Sequence, residues 1–170
     1  MESQKIISFS NIYNSHKKPV YHYALKMVRS MMTAEDIVQN VFLKLFEKLD
    51  TINDFGSIRF WLLKTARNEV YGYFRRAKNH KEEALEENEE LLTDTNLGRE
   101  IEEKEAQEIV RNEIDLLPTE LREIFVLREY SELSYEEISQ MVGVSKEIVK
   151  SRLFSIRQKL IKNVSKRIGV

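Results

Sequence analysis

Cationic, amide and aromatic side chains recur on one side of a helix predicted between about residues 58 and 76. At about 100° per residue, the outward-facing positions and their neighbours are Trp61, Lys64, Arg67, Asn68, Tyr71, Gly72, Arg75 and Arg76. Cations bind phosphates, and aromatic rings stack on exposed bases, with roughly 1–3 kcal/mol for each base. Because a double helix hides its base faces, this combination indicates opened or single-stranded DNA. The alternative interpretation is a helix whose tryptophan packs under a neighbouring element and whose cations are only solvated.

The opposite side of the same helix is apolar and is predicted to be buried. Its members are Leu62, Leu63, Ala66, Val70, Tyr73 and Phe74. Gly72 interrupts the helix, where a glycine costs roughly 1 kcal/mol relative to alanine. Two explanations are open: a DNA strand approaches closely where no side chain projects, or the glycine is a tolerated substitution.

A second arrangement of polar and basic residues lies in SYEEISQMVGVSKEIVKSRLFSIRQKL, residues 134–160. Ser134 and Glu137 have the spacing of a capping box, and Gly143 suits a left-handed C-cap. Ser145 is predicted to cap the helix that follows. Two helices joined by a short turn containing glycine are typical of a helix-turn-helix, which binds DNA. The alternative is a helical hairpin with a solvated face.

The last helix of this motif has an apolar side predicted to face the core, formed by Val149, Leu153, Ile156 and Leu160. Near its N-terminus, Lys146, Glu147, Lys150 and Ser151 are placed to reach base edges in the major groove. Ile148 is predicted to contact a thymine methyl group. Arg152, Arg157 and Lys159 are better suited to phosphates.

The elements that position these surfaces are all predicted to be helices. In AEDIVQNVFLKLFEKL, one apolar stripe is formed by Ile37, Val41, Leu45 and Leu49. Thr33 with Asp36 three residues on resembles a capping box and predicts the start of this helix. Pro19 is predicted to restart an earlier helix in its first turn, and Pro118 to start a later one. The fold class is therefore all-α.

The net charge of −1 conceals three differently charged blocks. Residues 1–80 hold 13 Lys+Arg and 7 Asp+Glu, residues 81–110 hold 3 and 12, and residues 111–170 hold 11 and 9. Such asymmetry is typical of polyanion-binding proteins, although a solvated linker by itself explains the acidic block. We predict two small helical domains over 1–80 and 109–170, joined by an acidic flexible linker over 81–108, the second half of which is predicted to begin a helix.

The composition also excludes several kinds of site. There are no cysteines, so disulfides and thiolate metal sites are excluded. His16, His22 and His80 are isolated in sequence and are interpreted as solvated or partly packed. No nucleotide-binding loop, catalytic triad or metal-spaced cluster is present, so we expect neither an enzyme nor a metal or other cofactor. The absence of a long apolar run and of a signal peptide predicts a cytoplasmic protein.

Taken together, these motifs resemble the bacterial RNA polymerase sigma factors of the extracytoplasmic-function (ECF) group, over about residues 9–78 and 112–162. AEDIVQNVFLKLFEKL resembles the second-helix motif of sigma region 2, and FWLLKTARNEVYGYFRR resembles its promoter-melting helix. The segment from LPTELREIFVLREY to SIRQKL resembles sigma region 4. A helix-turn-helix alone is common, but this ordered set is highly specific.

The resemblance implies a dissociable subunit that gives core RNA polymerase its promoter specificity. Region 2 of the family docks on the polymerase clamp, which here implies docking through Asp36, Gln39, Asn40 and Leu43. Region 2 also melts the −10 element, which implies DNA contacts by Trp61, Lys64, Arg67, Asn68, Tyr71, Arg75 and Arg76. A flipped promoter base would be captured by the loop over residues 51–57.

Region 4 of the family binds the duplex −35 element and the polymerase flap. The −35 contacts implied here are Ser145, Lys146, Glu147, Ile148, Lys150, Ser151, Arg152 and Arg157. The acidic linker would thread the polymerase channel. Family members are commonly held inactive by an anti-sigma factor, so such a partner is expected.

The chain departs from the family pattern at four positions. The family usually has an acidic residue at Asn40 and aspartate at Gly72, and often has threonine at Ile148 and a basic residue or histidine at Phe154. These departures bear chiefly on promoter preference. Two other interpretations are kept: a conventional dimeric helix-turn-helix regulator of palindromic sites, and a sigma-like protein that binds its partners without initiating transcription.

Overall fold

The computed structural model describes residues 1–83 and 101–169, and every regular element within these ranges is a helix. The chain divides into two compact units between Leu92 and Thr93. The predicted all-α class is confirmed. Within the described ranges, no helix combines the length and the apolar character that crossing a membrane requires.

The first unit is a bundle of three helices, α1 (Glu2–Val28), α2 (Met31–Lys48) and α3 (Ile58–Glu83). Two short 3₁₀ turns, Leu49–Thr51 and Phe55–Ser57, lie between α2 and α3. Each helix packs against the other two. The largest fully buried side chains of this core are Tyr23, Met27, Leu45, Leu62 and Leu63. Burial of side chains of this size stabilises by roughly 1.5–3 kcal/mol each, and it fixes the rotation of α2 and α3.

Two helix starts predicted from local sequence are wrong. α1 continues through Pro19, and α2 is capped by Ser30, whose hydroxyl accepts a hydrogen bond from Thr33 N at 3.3 Å. The residues that follow the proline, including Val20 and Tyr23, are buried in the core. This packing outweighs the cost of an interior proline, which is about 3 kcal/mol. The apolar stripe predicted for α2 is buried as expected, at Ile37, Val41, Leu45 and Leu49.

The second unit consists of α4 (Ile101–Asp115), α5 (Thr119–Glu129), α6 (Tyr135–Val142) and α7 (Lys146–Ile168). α7 is the central element, because it packs against each of the other three helices. Pro118 is the N-cap of α5, as its position in the sequence predicts.

The predicted linker over 81–108 is partly helical. α3 runs to Glu83 and α4 begins at Ile101, so the last eight residues of that segment belong to a helix. Residues 84–100 lie outside the described ranges. Near the C-terminal end of α4, the buried Ile114 packs with Ile156 and Leu160 of α7, which holds this helix against its neighbour.

Buried charged side chains tie α4 to its neighbours. The carboxylate of Glu113, which is 5% exposed, accepts a hydrogen bond from Asn163 Nδ2 at 3.0 Å and pairs with Arg167 Nε at 2.9 Å. Arg122 Nη1 donates to the carbonyl of Asp115 at 3.2 Å, at the C-terminus of α4. Helix C-termini leave carbonyls without intrahelical partners, so this arginine of α5 stabilises the end of α4.

Candidate nucleic-acid interface

The rotation of α3 is set by its apolar side and by one ion pair. Its fully buried side chains are Leu62, Leu63, Ala66 and Val70. Beside them, Lys44 Nζ of α2 lies 2.5 Å from Glu69 Oε1, and the Glu69 side chain is only 15% exposed. Glu69 is the only carboxylate between residues 58 and 80. Because it pairs with α2, the outward side of α3 between residues 58 and 80 presents cations without a carboxylate of its own.

Most of the predicted DNA-contacting residues do lie on the outward side of α3. The fully exposed members are Lys64, Asn68, Arg75 and Arg76. Trp61, Arg67 and Tyr71 are half-buried, and the Arg67 guanidinium carbon lies 4.6 Å from the centre of the Tyr71 ring. A cation held over an aromatic ring places charge and a stacking surface side by side. α3 therefore has the chemistry that an opened DNA strand requires.

Two aromatic residues near the end of α3 are less buried than predicted. Tyr73 and Phe74 are half-buried, and their ring centres are 6.0 Å apart. The buried apolar side chains of α3 end at Val70. Beyond that residue, the Phe74 ring lies near those of Tyr71 and Tyr73 on the same helix.

Gly72 is buried, whereas the sequence placed it near the outward surface. Side-chain atoms of Arg75 and Arg76 lie next to the position where its side chain would project. A Cβ atom built at residue 72 would lie 3.2 Å from Arg76 Nη1 and 3.7 Å from Arg75 Nη2. The backbone predicted to be open to a DNA strand is thus covered by two guanidinium groups.

The loop before α3 is held by its own hydrogen bonds and exposes an aromatic ring. The Asp54 carboxylate accepts from Gly56 N at 2.8 Å, and the Ser57 hydroxyl donates to the Asp54 carbonyl at 3.3 Å. Phe55 between them is 50% exposed. Sequence reasoning selected this loop for base capture but missed Phe55. The available signal was a phenylalanine placed between two turn-forming residues.

The residues predicted to dock polymerase form one exposed stripe on α2. The set is Asp36, Gln39, Asn40 and Leu43. Their spacing of three and four residues places them on one side of the helix. Leu43 is 62% exposed, and Met32, one turn before Asp36, is 75% exposed. Exposed apolar side chains bordered by polar ones are typical of protein-binding surfaces. Met32 extends the stripe and was not selected from the sequence.

The helix-turn-helix has the caps that its sequence predicts. Ser134 Oγ accepts from Glu137 N at 3.1 Å, and Glu137 Oε1 accepts from Ser134 N at 3.0 Å, which completes the capping box. Gly143 has φ of 77°, in the left-handed region that favours glycine. Ser145 Oγ accepts from Ile148 N at 3.2 Å and caps α7. These local contacts set the turn between α6 and α7.

α7 buries one side and exposes the side that carries the predicted −35 contacts. The buried residues are those predicted, Val149, Leu153, Ile156 and Leu160. The exposed residues near its N-terminus are Ser145, Lys146, Glu147, Ile148, Lys150 and Ser151. Ile148 keeps 43% of its surface exposed, and Phe154 on the same helix keeps 65%. An apolar side chain is therefore available beside polar ones at the tip of the helix.

The two arginines predicted to contact phosphates are less exposed than the residues at the tip. Arg152 is half-buried, and Arg157 Nη2 lies 2.5 Å from Glu129 Oε1 of α5. The hydrogen bond that Arg157 donates to the Glu129 carboxylate raises the pKa of Arg157. A phosphate contact by Arg157 must therefore compete with this ion pair. Lys150 Nζ lies 5.7 Å from the centre of the Tyr135 ring, which links α7 to the start of α6.

The histidines are not part of a metal-binding cluster in the described part of the chain. His16 is half-buried, and burial, followed by the nearby Arg59, lowers its pKa. His22 is exposed, and its ring contacts Tyr21 edge-on at 5.9 Å. No group of three or more metal-binding side chains occurs among residues 1–83 and 101–169.

Fold and surface together define a class of DNA-binding protein with a helix-turn-helix in one helical unit and a cationic, aromatic helix in the other. Comparison with known proteins identifies the family. Residues 12–80 match the family model described as Sigma-70 region 2, and residues 107–160 match that described as Sigma-70, region 4.

Related proteins and a solved structure agree with the sigma-factor family models. The chain is 29% identical over 165 residues to RNA polymerase sigma factor YlaC of Bacillus subtilis, covering 94% of this chain and 93% of that protein. It is 33% identical over 132 residues to the ECF RNA polymerase sigma-E factor of Escherichia coli K12, covering 72% and 69%. The structure of the sigma factor RpoE, in complex with the anti-sigma factor NepR from Bartonella quintana, has a similar fold. Its TM-score is 0.77 at 20% identity, over 93% of this chain and 97% of that chain.

The chain belongs to the ECF group of RNA polymerase sigma factors. Its function is to direct promoter-specific transcription initiation. A conventional dimeric helix-turn-helix regulator is not favoured, because such a regulator needs no counterpart of sigma region 2.

Proposed function

We propose that α3 and the loop before it contact the melted −10 element, while α7 contacts the duplex −35 element. The observation that carries this division is the charge of α3. Between residues 58 and 80 there are six Lys and Arg residues and one carboxylate, Glu69, which pairs with Lys44 of α2. A surface with cations and no available carboxylate attracts the phosphate backbone.

When promoter DNA opens, a base loses its stacking on neighbouring bases, and the protein must offset that loss with new contacts. Unstacking a base costs a few kcal/mol. Stacking on Phe55, Trp61 or Tyr71 returns roughly 1–3 kcal/mol for each base. Asn68 is exposed on the same helix and offers an amide that donates and accepts hydrogen bonds at a base edge. The aromatic rings would thus hold the opened strand, and Asn68 would select among bases.

Polymerase docking is assigned to the exposed stripe of α2. Leu43 is the apolar centre of that stripe, flanked by the polar Asp36, Gln39 and Asn40. Interfaces of this kind concentrate their binding energy in a few buried apolar anchors surrounded by polar contacts. Because α2 packs against α3, docking through α2 would present α3 to DNA in a fixed orientation.

Duplex recognition is assigned to the first turns of α7. Lys146, Glu147, Lys150 and Ser151 provide donors and acceptors for base edges, and Ile148 provides an apolar contact for a thymine methyl group. Arg152 would contact phosphate, and Arg157 would do so when released from Glu129.

The partners of the protein follow from these assignments. They are core RNA polymerase and promoter DNA, in duplex form at −35 and melted at −10. The Bartonella quintana protein of similar fold is bound to an anti-sigma factor, and we propose a partner of that class here. The protein would act in the cytoplasm, where polymerase and DNA are found, as a specificity subunit and not as a catalyst.

Variants of α3 distinguish a role in promoter opening from a role in polymerase binding. Asn68→Ala and Trp61→Ala are expected to reduce initiation from a duplex promoter by at least tenfold, with core polymerase affinity unchanged. Initiation from a DNA whose −10 region is already unpaired should fall less, because the cost of opening has been removed. Lys48→Ala, which removes an exposed cation from the end of α2, is the matched control and should leave both activities intact.

Equal loss of polymerase binding and initiation in the α3 variants would show that α3 is structural. Polymerase binding without any initiation by the wild-type protein would mark a sigma-like protein that only binds its partners. Dimeric binding to palindromic DNA in the absence of polymerase would favour a conventional regulator.

A further inference from the structure

Two arginine side chains meet over Gly72. Measured from the Cβ position of residue 72, Arg76 Nη1 lies at 3.2 Å and Arg75 Nη2 at 3.7 Å. Since both nitrogens lie that close to one point, they cannot be more than 6.9 Å apart. The glycine beneath them is buried. Two guanidinium groups, which stay charged at any pH of interest, are therefore held side by side on the outward side of α3.

Neither of these charges is neutralised by a carboxylate that the structure describes. Two ion pairs described in the first unit join Lys5 with Asp50 and Lys44 with Glu69, and neither involves Arg75 or Arg76. Glu69 is the only carboxylate on α3 up to residue 80, and it is turned toward α2. Like charges at this separation repel each other. An anion placed between the two guanidinium groups would attract both of them and offset their mutual repulsion.

The absence of a side chain at residue 72 permits this arrangement. A Cβ atom 3.2 Å from Arg76 Nη1 would displace that group by a few tenths of an ångström. A carboxylate at residue 72 would do more. It would lie three and four residues before Arg75 and Arg76, the spacing at which acidic and basic side chains pair on a helix. The two arginines would then be occupied internally.

We propose that Gly72 is a positioning residue, which keeps Arg75 and Arg76 together and available for one backbone phosphate of the opened DNA strand. A phosphate offers several oxygens to two planar guanidinium groups, and such pairs form strong, charge-assisted hydrogen bonds. This inference rests on the proposed role of α3 at the −10 element. It adds the ligand group, a single phosphate, and the reason why residue 72 carries no carboxylate.

The test compares Gly72→Asp with Gly72→Asn, which have nearly the same shape but differ in charge. Holoenzyme is assembled from core RNA polymerase and each full-length variant, and its affinity is measured for a fluorescent promoter DNA with an unpaired −10 region. Each phosphate contact on a single strand contributes about 0.7 to the slope of log affinity against log salt. Gly72→Asp is expected to lose one such contact. Between about 50 and 200 mM salt, the affinity of Gly72→Asn should then fall about 2.6-fold more than that of Gly72→Asp.

The phosphate is located by replacing the phosphates of the unpaired strand one at a time with neutral methylphosphonates. One position should weaken binding by wild-type protein and by Gly72→Asn, but not by Gly72→Asp. Arg76→Gln, with Gly72 in place, should lose sensitivity at the same position. This variant keeps the test valid if Gly72→Asp folds poorly.

Equal salt slopes and equal methylphosphonate profiles for Gly72→Asp and Gly72→Asn would overturn the inference. The same holds if Arg76→Gln keeps the wild-type profile. A holoenzyme that binds the unpaired promoter no better than core polymerase does would instead overturn the proposed role of α3. The two failures are therefore distinguishable.

Discussion

Replacing Ser145 with alanine removes the N-cap of α7 at the turn that carries Lys146, Glu147 and Ile148. In the structure, Ser145 Oγ accepts a hydrogen bond from Ile148 N at 3.2 Å. Loss of an N-cap serine costs about 1 kcal/mol. Because 1.4 kcal/mol corresponds to a factor of ten, fraying of this turn should weaken −35-dependent promoter binding by up to about fivefold.

Ser134→Ala is the matched control, because Ser134 caps α6 in the same way and accepts from Glu137 N at 3.1 Å. Both variants should lower the free energy of unfolding of the second unit by about 1 kcal/mol. Hydrogen exchange of amides in α6 and α7 would measure that loss. Only Ser145→Ala should reduce the difference in holoenzyme affinity between a promoter fragment and the same fragment with a scrambled −35 element.

A third variant, Ser145→Gly, separates capping from direct contact with DNA. Glycine at an N-cap costs only a few tenths of a kcal/mol, so we expect it to restore most of the −35 dependence. If Ser145→Gly binds as weakly as Ser145→Ala, the hydroxyl itself contacts DNA and the capping argument is refuted. Equal losses for Ser134→Ala and Ser145→Ala would also refute it.

Other variants test the remaining parts of the account. Leu43→Ala should weaken core polymerase binding by at least about fivefold. Because Leu43 is 62% exposed, the same variant should change the free energy of unfolding by less than about 0.5 kcal/mol. Unchanged polymerase affinity would remove Leu43 from the docking surface. Glu113→Ala should destabilise the second unit by about 1–3 kcal/mol, because it leaves Asn163 without its acceptor and Arg167 without its ion pair; urea denaturation measures this, and a neutral result would contradict it. Burial lowers the pKa of His16 below its usual 6.5, so the unfolded chain binds the proton more readily and stability falls as pH drops below about 6.5. His16→Gln should reduce the difference in the free energy of unfolding between pH 7.5 and pH 5.5, measured by urea denaturation. If the variant shows the same difference as the wild-type protein, other groups cause the loss of stability.

Caps and apolar stripes could be predicted because they depend on residues close together in the chain. The Ser134–Glu137 box, the left-handed Gly143 and the Ser145 cap each involve residues within four positions. The buried stripe of α7 likewise follows from the period of a single helix.

Errors arose where packing against another helix decides the outcome. α1 continues through Pro19 because the residues beyond it are buried in the core. α2 begins after Ser30, although Thr33 and Asp36 have capping-box spacing. The sequence offers more than one capping residue here, and packing against the other helices decides which one starts the helix.

Contacts between residues far apart in sequence could not be read from the chain. Arg157 pairs with Glu129, 28 residues away, and Glu113 bonds to Asn163, 50 residues away. The surroundings of Gly72 were not predictable for a different reason: Arg75 and Arg76 are close in sequence, but which way their long, flexible side chains turn is not set by local sequence. The residue types at the candidate DNA surface were predictable, but their degree of exposure was not.

The most direct measurement is transcription by core RNA polymerase with and without the purified protein, on fragments of genomic DNA, with the start sites of the transcripts mapped. We expect a small set of new start sites that depend on the protein and share sequences near −10 and −35. Those start sites should be lost with Asn68→Ala and retained with Lys48→Ala. Transcripts that do not depend on the protein, or start sites without a shared sequence, would contradict its function as a promoter-specific sigma factor.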